Sequence, residues 1–261
     1  MSGLDRFVAV LSLYSETADV WSVQEMANAM DMPASTVYRI VRDLVKASFL
    51  EPATGARYRL GSAFPRYDRL ARKTDPVVRT GSSLLHEIVL QARIPCVALL
   101  SRLCNDMVMC IDHQAAKNVE FKWSLFERGR PIPLTKGSTS KVILAQLPAQ
   151  QRKKLLATKD GNGSAAAAEL SQKSELFTFI RKQGYHISYG EIDPTLVAIA
   201  APISVPEMGL AASISLILED KINHEDLERR LVLLLVSSAS LLTEQLRRSE
   251  VTDIIGQSAA G

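Results

Sequence analysis

Leu4, Val8 and Leu11, with Tyr14 following, recur at the interval of an amphipathic helix, and the pattern gives out near Glu16. Ser22 stands three residues before Glu25, the spacing at which a serine and a glutamate cap a helix start reciprocally, and predicts a second helix to about Met30. Asp31-Met32-Pro33 stops it, because proline lacks an amide donor and disfavours helix in the residue before it. Beyond the break Val37, Ile40, Val41 and Leu44 form the buried stripe of a third helix, with Ser35, Thr36, Tyr38, Arg39, Arg42 and Lys46 off that stripe. Two short helices joined by a tight turn, the second polar and basic on its outer side, make a helix-turn-helix pattern. Residues 49–61 then alternate around Pro52, Thr54 and Gly55 as a β-hairpin does. Directly after a helix-turn-helix such a hairpin is a wing, here with Arg57 and Arg59 on alternate positions of one strand.

Phe64, Tyr67 and Leu70 recur at helical intervals in a linker helix that follows the wing, and a domain boundary is expected around Asp75-Pro76. The rest mixes strand and helix. Strands are expected over 97–103, 107–112, 119–125, 197–205 and 210–218. Helices are expected over 138–147, 169–183 (stopped by Gly184) and 225–248, with a Gly/Ser/Ala-rich loop over 162–168. This order predicts an α+β domain. The organisation read from the pattern is a winged helix-turn-helix over 1–61, a linker helix over 62–79, the α+β domain over 80–250 and a tail over 251–261. The most apolar run, 231–242, is interrupted by three serines and is shorter than the roughly 20 residues a membrane-spanning helix needs, so it reads as a buried helix.

The composition, 47% hydrophobic and 23% charged, is that of a globular protein with a sizeable core. The net charge of +3 is small, but residues 35–73 hold nine bases against three acids, a surplus of six, leaving −3 for the remainder. A basic stretch of this kind suits a polyanion, because neutralising phosphates releases condensed counterions. The three cysteines form no C-x-x-C pair, the four histidines have no ligand spacing, and nothing resembles an export signal. A cytoplasmic protein without metal or cofactor is expected.

Ser138 and Lys141 make an S-x-x-K pair, the spacing of a serine nucleophile with its lysine, which keeps a hydrolase reading open, although the S-D-N and K-T-G partners of that chemistry are absent. No phosphate-binding loop motif occurs. The same segment also opens a helix, whose free amides suit a carboxylate. Phe121 and Trp123, on the expected strand over 119–125, are candidates for the floor of an apolar ligand pocket or for ordinary core.

Three stretches resemble the IclR family of transcription regulators. The first is the helix-turn-helix with its wing, ending in Tyr58-Arg59-Leu60-Gly61. The second is Ile132-Pro133-Leu134 leading into Gly137-Ser138-Thr139-Ser140-Lys141. The third is Gly184-Tyr185 with Gly190-Glu191-Ile192-Asp193-Pro194 and Ile199-Ala200-Ala201-Pro202-Ile203. The resemblance implies a GAF-like effector-binding domain, a homodimer or tetramer, and repression or activation at double-stranded operator DNA under a small organic-acid effector, aromatic in one version. From their place on the second helix of the helix-turn-helix and on the wing, DNA contacts are expected at Ser35, Thr36, Tyr38, Arg39, Arg42, Arg57 and Arg59. Effector contacts fall at Phe121, Trp123, Ser138, Thr139, Tyr189, Glu191, Ala198, Ser213 and Ser215. Ser138 and Thr139 replace the small residues of the family's ligand-contacting turn, while Tyr189 aligns with a pocket aspartate and Ala198 with a pocket cysteine or serine of some members. Ser213 and Ser215 match two alternating serines of the family's late strand with a slip of one residue. A DNA-binding module whose second domain only oligomerises is the alternative.

Overall fold

A computed structural model of the chain describes residues 3–157, 170 and 172–258, with side chains described as far as 249. It divides into two compact units, Met1–Asp75 and Pro76–Gly261.

In the first unit, helices α1 (Gly3–Leu11), α2 (Val23–Ala29) and α3 (Ala34–Lys46) surround a core of Val10, Met26, Val37, Ile40, Val41, Leu44 and Leu50. The capping box forms at Ser22 and Glu25. A three-stranded antiparallel sheet follows, built from β1 (Trp21–Ser22), β2 (Leu50–Ala53) and β3 (Arg57–Leu60) in the order β1-β3-β2. The wing is thus tied back to the start of α2, with Ser22 opposite Arg57 and Glu51 opposite Arg59. Helix α4 (Ala63–Thr74) closes the unit. The single linker helix expected over 62–79 is two helices, because Asp75 takes an extended conformation before Pro76, as the proline ring demands.

The second unit is built on a six-stranded antiparallel sheet in the order β6-β5-β4-β9-β8-β7. Its strands are β4 (Val97–Cys104), β5 (Met107–Ala115), β6 (Pro131–Ile132), β7 (His186–Tyr189), β8 (Leu196–Val205) and β9 (Leu210–Glu219). One face packs against α5 (Pro76–Ala92) and the long α9 (Glu225–Ser258), and the other against α6 (Ser138–Gln146), α7 (Ala149–Leu156) and α8 (Ser174–Gln183). Helix α5 approaches the sheet closely at Gly81, where an added Cβ would stand 2.5 Å from Leu100 Cδ1. Helix α9 runs beyond its expected end at 248, into the segment expected as a tail.

The strand expected over 119–125 is absent. That segment is a loop ending in a 3-10 turn at Ser124–Phe126, and the edge of β5 is taken from Val108 to Cys110 by β6 and the Gly129-Arg130 backbone before it. Phe121 and Trp123 therefore reach the α6-side core from a loop, and Trp123 packs against His113 at 5.0 Å between ring centroids. The expected loop over 162–168 and the start of the helix after it lie outside the described residues.

Candidate DNA interface and effector site

Burial of Val37, Ile40, Val41 and Leu44 fixes the rotation of α3 and turns its polar side outward. Ser35, Tyr38, Arg39 and Arg42 are exposed, Thr36 is half-buried, and no acidic residue occupies the first turn. Tyr38 leaves 56% of its surface to solvent, which no core tyrosine does. The arginines differ in their ties. Arg42 leans on its neighbour Asp43 at 3.3 Å, and Arg59 pairs across the hairpin with Glu51 at 2.9 Å. Arg57 Nη2 donates to Glu25 Oε1 at 2.6 Å, while Glu25 Oε2 accepts the Ser22 amide at 2.7 Å. Hydrogen bonds from the Ser22 amide and hydroxyl, and then the charge and hydrogen bond of Arg57, hold the Glu25 carboxyl below its usual range. Arg39 has no ionic partner among the described residues. Of the four arginines, one is free among the described residues and three are held by acids.

In the second unit the sequence motifs converge at the start of α6. Gly137 precedes it with φ +79°, a conformation that costs glycine little, and an added Cβ would press on Ile192 Cδ1 at 3.0 Å. The Gly137 amide donates to Glu191 Oε2 at 2.9 Å and the Ser138 amide to Ser188 Oγ at 2.9 Å. Ser138 Oγ donates to the Ala198 carbonyl at 2.8 Å, and Thr139 Oγ1 shares a 3.0 Å hydrogen bond with Ser215 Oγ. Lys141 Nζ closes the arrangement with an ion pair to Glu191 Oε1. Burial raises the Glu191 carboxyl, but the hydrogen bonds from Lys141 and Gly137 outweigh it and hold the group ionised below its usual range. His186, on the same face of β7 as Ser188, is pushed down to about 4 by burial and by the Lys141 charge.

Seven residues thus meet here, from α6 (Ser138, Thr139, Lys141), β7 (Ser188), the loop after it (Glu191), β8 (Ala198) and β9 (Ser215). Ser213 lies two residues from Ser215 on the same strand face, wholly buried. Its hydroxyl and those of Ser101 and Ser140 have no hydrogen-bond partner among the described residues. Tyr189 is not brought in. It is 55% exposed, and its hydroxyl donates to Glu228 Oε2 of α9 at 2.5 Å. Strand side chains alternate, so Ser188 is the β7 residue facing the site, and an alignment one residue off points to the wrong face. Ser188 and the Lys141–Glu191 tie are what the sequence reading missed; a strand assigned over 186–189 would have exposed the first.

The S-x-x-K spacing does not assemble a nucleophile, since Lys141 is committed to Glu191 and the Ser138 hydroxyl to a carbonyl. Cys96 and Cys110 are buried, and burial pushes both thiols up to about 12. Among the described residues no group of His, Cys, Asp and Glu is placed to hold a metal ion, and no helix is long and apolar enough to cross a membrane.

Comparison with known proteins bears on both units. Residues 3–53 match the IclR helix-turn-helix domain and residues 76–242 match the bacterial transcriptional regulator IclR C-terminal domain. The HTH-type transcriptional regulator KipR of Bacillus subtilis is 23% identical over 213 residues, covering 81% of this chain and 83% of that protein. Among solved structures, an IclR regulator of Silicibacter sp. TM1040 superposes with a TM-score of 0.76 at 18% identity, covering 94% of this chain and 96% of that one. An IclR homologue of Microbacterium hydrocarbonoxydans complexed with 4-hydroxybenzoate gives 0.75 at 20% identity, over 95% of this chain and 100% of that one. With both family domains matched in order over most of its length, the chain belongs to the IclR family of transcription regulators, and its helix-turn-helix is a DNA-binding one.

Proposed function

We propose that this regulator binds an operator through α3 and the wing as a homodimer or tetramer, and that a small organic acid seated against the start of α6 changes its occupancy of DNA. The convergence of amide and hydroxyl donors at Gly137, Ser138, Thr139 and Ser215 carries the reading, because such a set suits a carboxylate. Phe121 and Trp123 pack against the same core as α6 and supply apolar surface for the rest of an aromatic acid. The relative complexed with 4-hydroxybenzoate supports this class of ligand. The role is regulatory rather than catalytic, and the cytoplasm, where promoters lie in a bacterium, is its place.

One observation favours the alternative, a second unit that only oligomerises: the Gly137 and Ser138 amides are already hydrogen-bonded to Glu191 and Ser188. An entering acid must exchange with these internal partners. A thermal-shift screen of small carboxylates separates the two readings. A sensor gains melting temperature with at least one acid, and Ser138→Ala, Thr139→Ala or Ser215→Ala lowers that acid's affinity. A unit that only oligomerises is unmoved by every acid.

A further inference from the structure

On the face of the sheet away from α6, the C-terminal half of α5 and the last residues of β5 border a cavity of about 310 Å3. The Ser82 hydroxyl of α5 donates to the Asp112 carboxylate of β5, and Gln114, two residues further along, shares that strand face and lines the cavity. Its floor is apolar: Val89, Ile94 and Ala116 pack into the core on this side, and Leu90 stands at the rim, 62% exposed. His86, Arg93 and Lys117 complete the lining with donors, and no acid lines it among the described residues. Arg93 and Lys117 have no ionic partner among those residues either. The negative end of α5, which would repel an anion here, is neutralised by Arg230 of α9, whose guanidinium donates to the Gln91 carbonyl at 3.0 Å and to the Ala92 carbonyl at 2.7 Å. Arg93 has φ +54°, the left-handed conformation that follows many helices and is usually left to glycine. A guanidinium is thus kept at the mouth of the cavity against the preference of the backbone.

From this arrangement we infer that the cavity is a second ligand site, separate from the start of α6, for an amphipathic organic anion. Its carboxylate or phosphate head is met by Arg93 and Lys117, and its apolar body lies on Val89, Leu90 and Ile94. The volume falls at the small end of the roughly 300–1,000 Å3 of small-molecule pockets, and an apolar lining with a few polar groups is the usual composition of such pockets. Both halves of the ligand are needed. A neutral apolar molecule leaves the two cations without a counter-charge, and an inorganic anion leaves the floor in water. The site does not depend on the acid-effector reading above, because the sheet lies between the two.

The test titrates 1-naphthoate and 1-naphthyl phosphate calorimetrically into the whole chain, with 1-naphthol and inorganic phosphate as the two half-ligands, and repeats the titrations with Arg93→Gly, Lys117→Gln and, at α6, Thr139→Ala. In the parent at least one naphthyl anion binds ten-fold or more tighter than either half-ligand. Arg93→Gly and Lys117→Gln each weaken that anion five-fold or more, while Thr139→Ala leaves it within about two-fold. Arg93→Gly keeps the ligand-free melting temperature at or above the parent's, since glycine takes the left-handed conformation without strain. Naphthyl anions that bind the parent no tighter than the half-ligands, or that bind both cavity variants as tightly as the parent, overturn the second site. Binding weakened by Thr139→Ala and by neither cavity variant also overturns it, by placing the anion at α6. A marked fall in the ligand-free melting temperature of Arg93→Gly overturns it as well, by showing that the guanidinium serves the fold.

Discussion

Arg39 and Arg57 carry the same charge and are held differently. Arg39 stands free on α3, whereas Arg57 is tied to the carboxylate that also caps α2. Replacing Arg39 with alanine is expected to weaken operator binding by about 1–3 kcal/mol if the guanidinium reads a base edge, or to lower the salt slope by about one if it holds a phosphate. Unchanged affinity and slope would remove α3 from the interface. Glu25→Gln keeps a side chain that can serve in a capping box and deletes the charge that competes with DNA for Arg57. Operator affinity measured across a salt series should therefore rise and its salt dependence steepen. Weaker binding with an unchanged slope would mean that Arg57 positions the wing and does not meet phosphate.

The residues at the start of α6 also give a signed pH dependence. Glu191 has its folded pKa held below the unfolded value, so its stabilisation is present above the ordinary carboxylate range and is lost as pH falls through the lowered value. His186 is depressed to about 4 from 6.5, so between those values the unfolded chain takes up a proton that the folded one refuses, and acidification again destabilises the fold. Both act in the same direction. Chemical denaturation from pH 7 to 4 is expected to show a flatter stability profile in His186→Gln than in the parent. Parallel profiles would exclude His186 as a contributor.

At the scale of elements, the first unit was legible because its signals are local: a capping box, a proline break, a helical stripe and a glycine turn each fix their own few residues. The second unit was legible where strands are long and apolar, as in β4, β8 and β9, and illegible where neighbours decide. The alternation at Phe121 and Trp123 reads as a strand, but the strand that pairs with β5 is β6, over Val108 and Met109. Strand β7 is only four residues long, too short for its alternation to be read from sequence, and it is Ser188 that it turns toward the start of α6. Helix α5 beyond the linker is not legible in the sequence, because Gly81 interrupts its period for a reason that lies in the sheet beneath. That reason is testable: Gly81→Val should overpack the contact with buried Leu100 and cost about 1–3 kcal/mol in urea unfolding. A stability equal to the parent's would show that the helix and sheet have room to spare.

For the whole molecule, two-fold symmetry is the economical way to read enough DNA, since a single recognition helix specifies few bases. Helix α4 leaves Phe64, Tyr67 and Leu70 on its surface, 37%, 48% and 45% exposed, a stripe suited to a second copy. Tyr67→Asp with Leu70→Asp is expected to shift sedimentation at micromolar concentration toward the monomer, and an unchanged oligomer would place the interface elsewhere. The central claim is that acid binding and operator binding are coupled. It is tested most directly by fluorescence anisotropy of labelled operator DNA, with and without an acid that raises the melting temperature, in the parent and in Ser138→Ala, Thr139→Ala and Ser215→Ala. Coupling free energies of about 1–3 kcal/mol predict a change in operator affinity of roughly 5- to 150-fold in the parent, and loss of that change in any variant that no longer binds the acid. An acid that stabilises the protein but leaves operator affinity untouched would contradict the account.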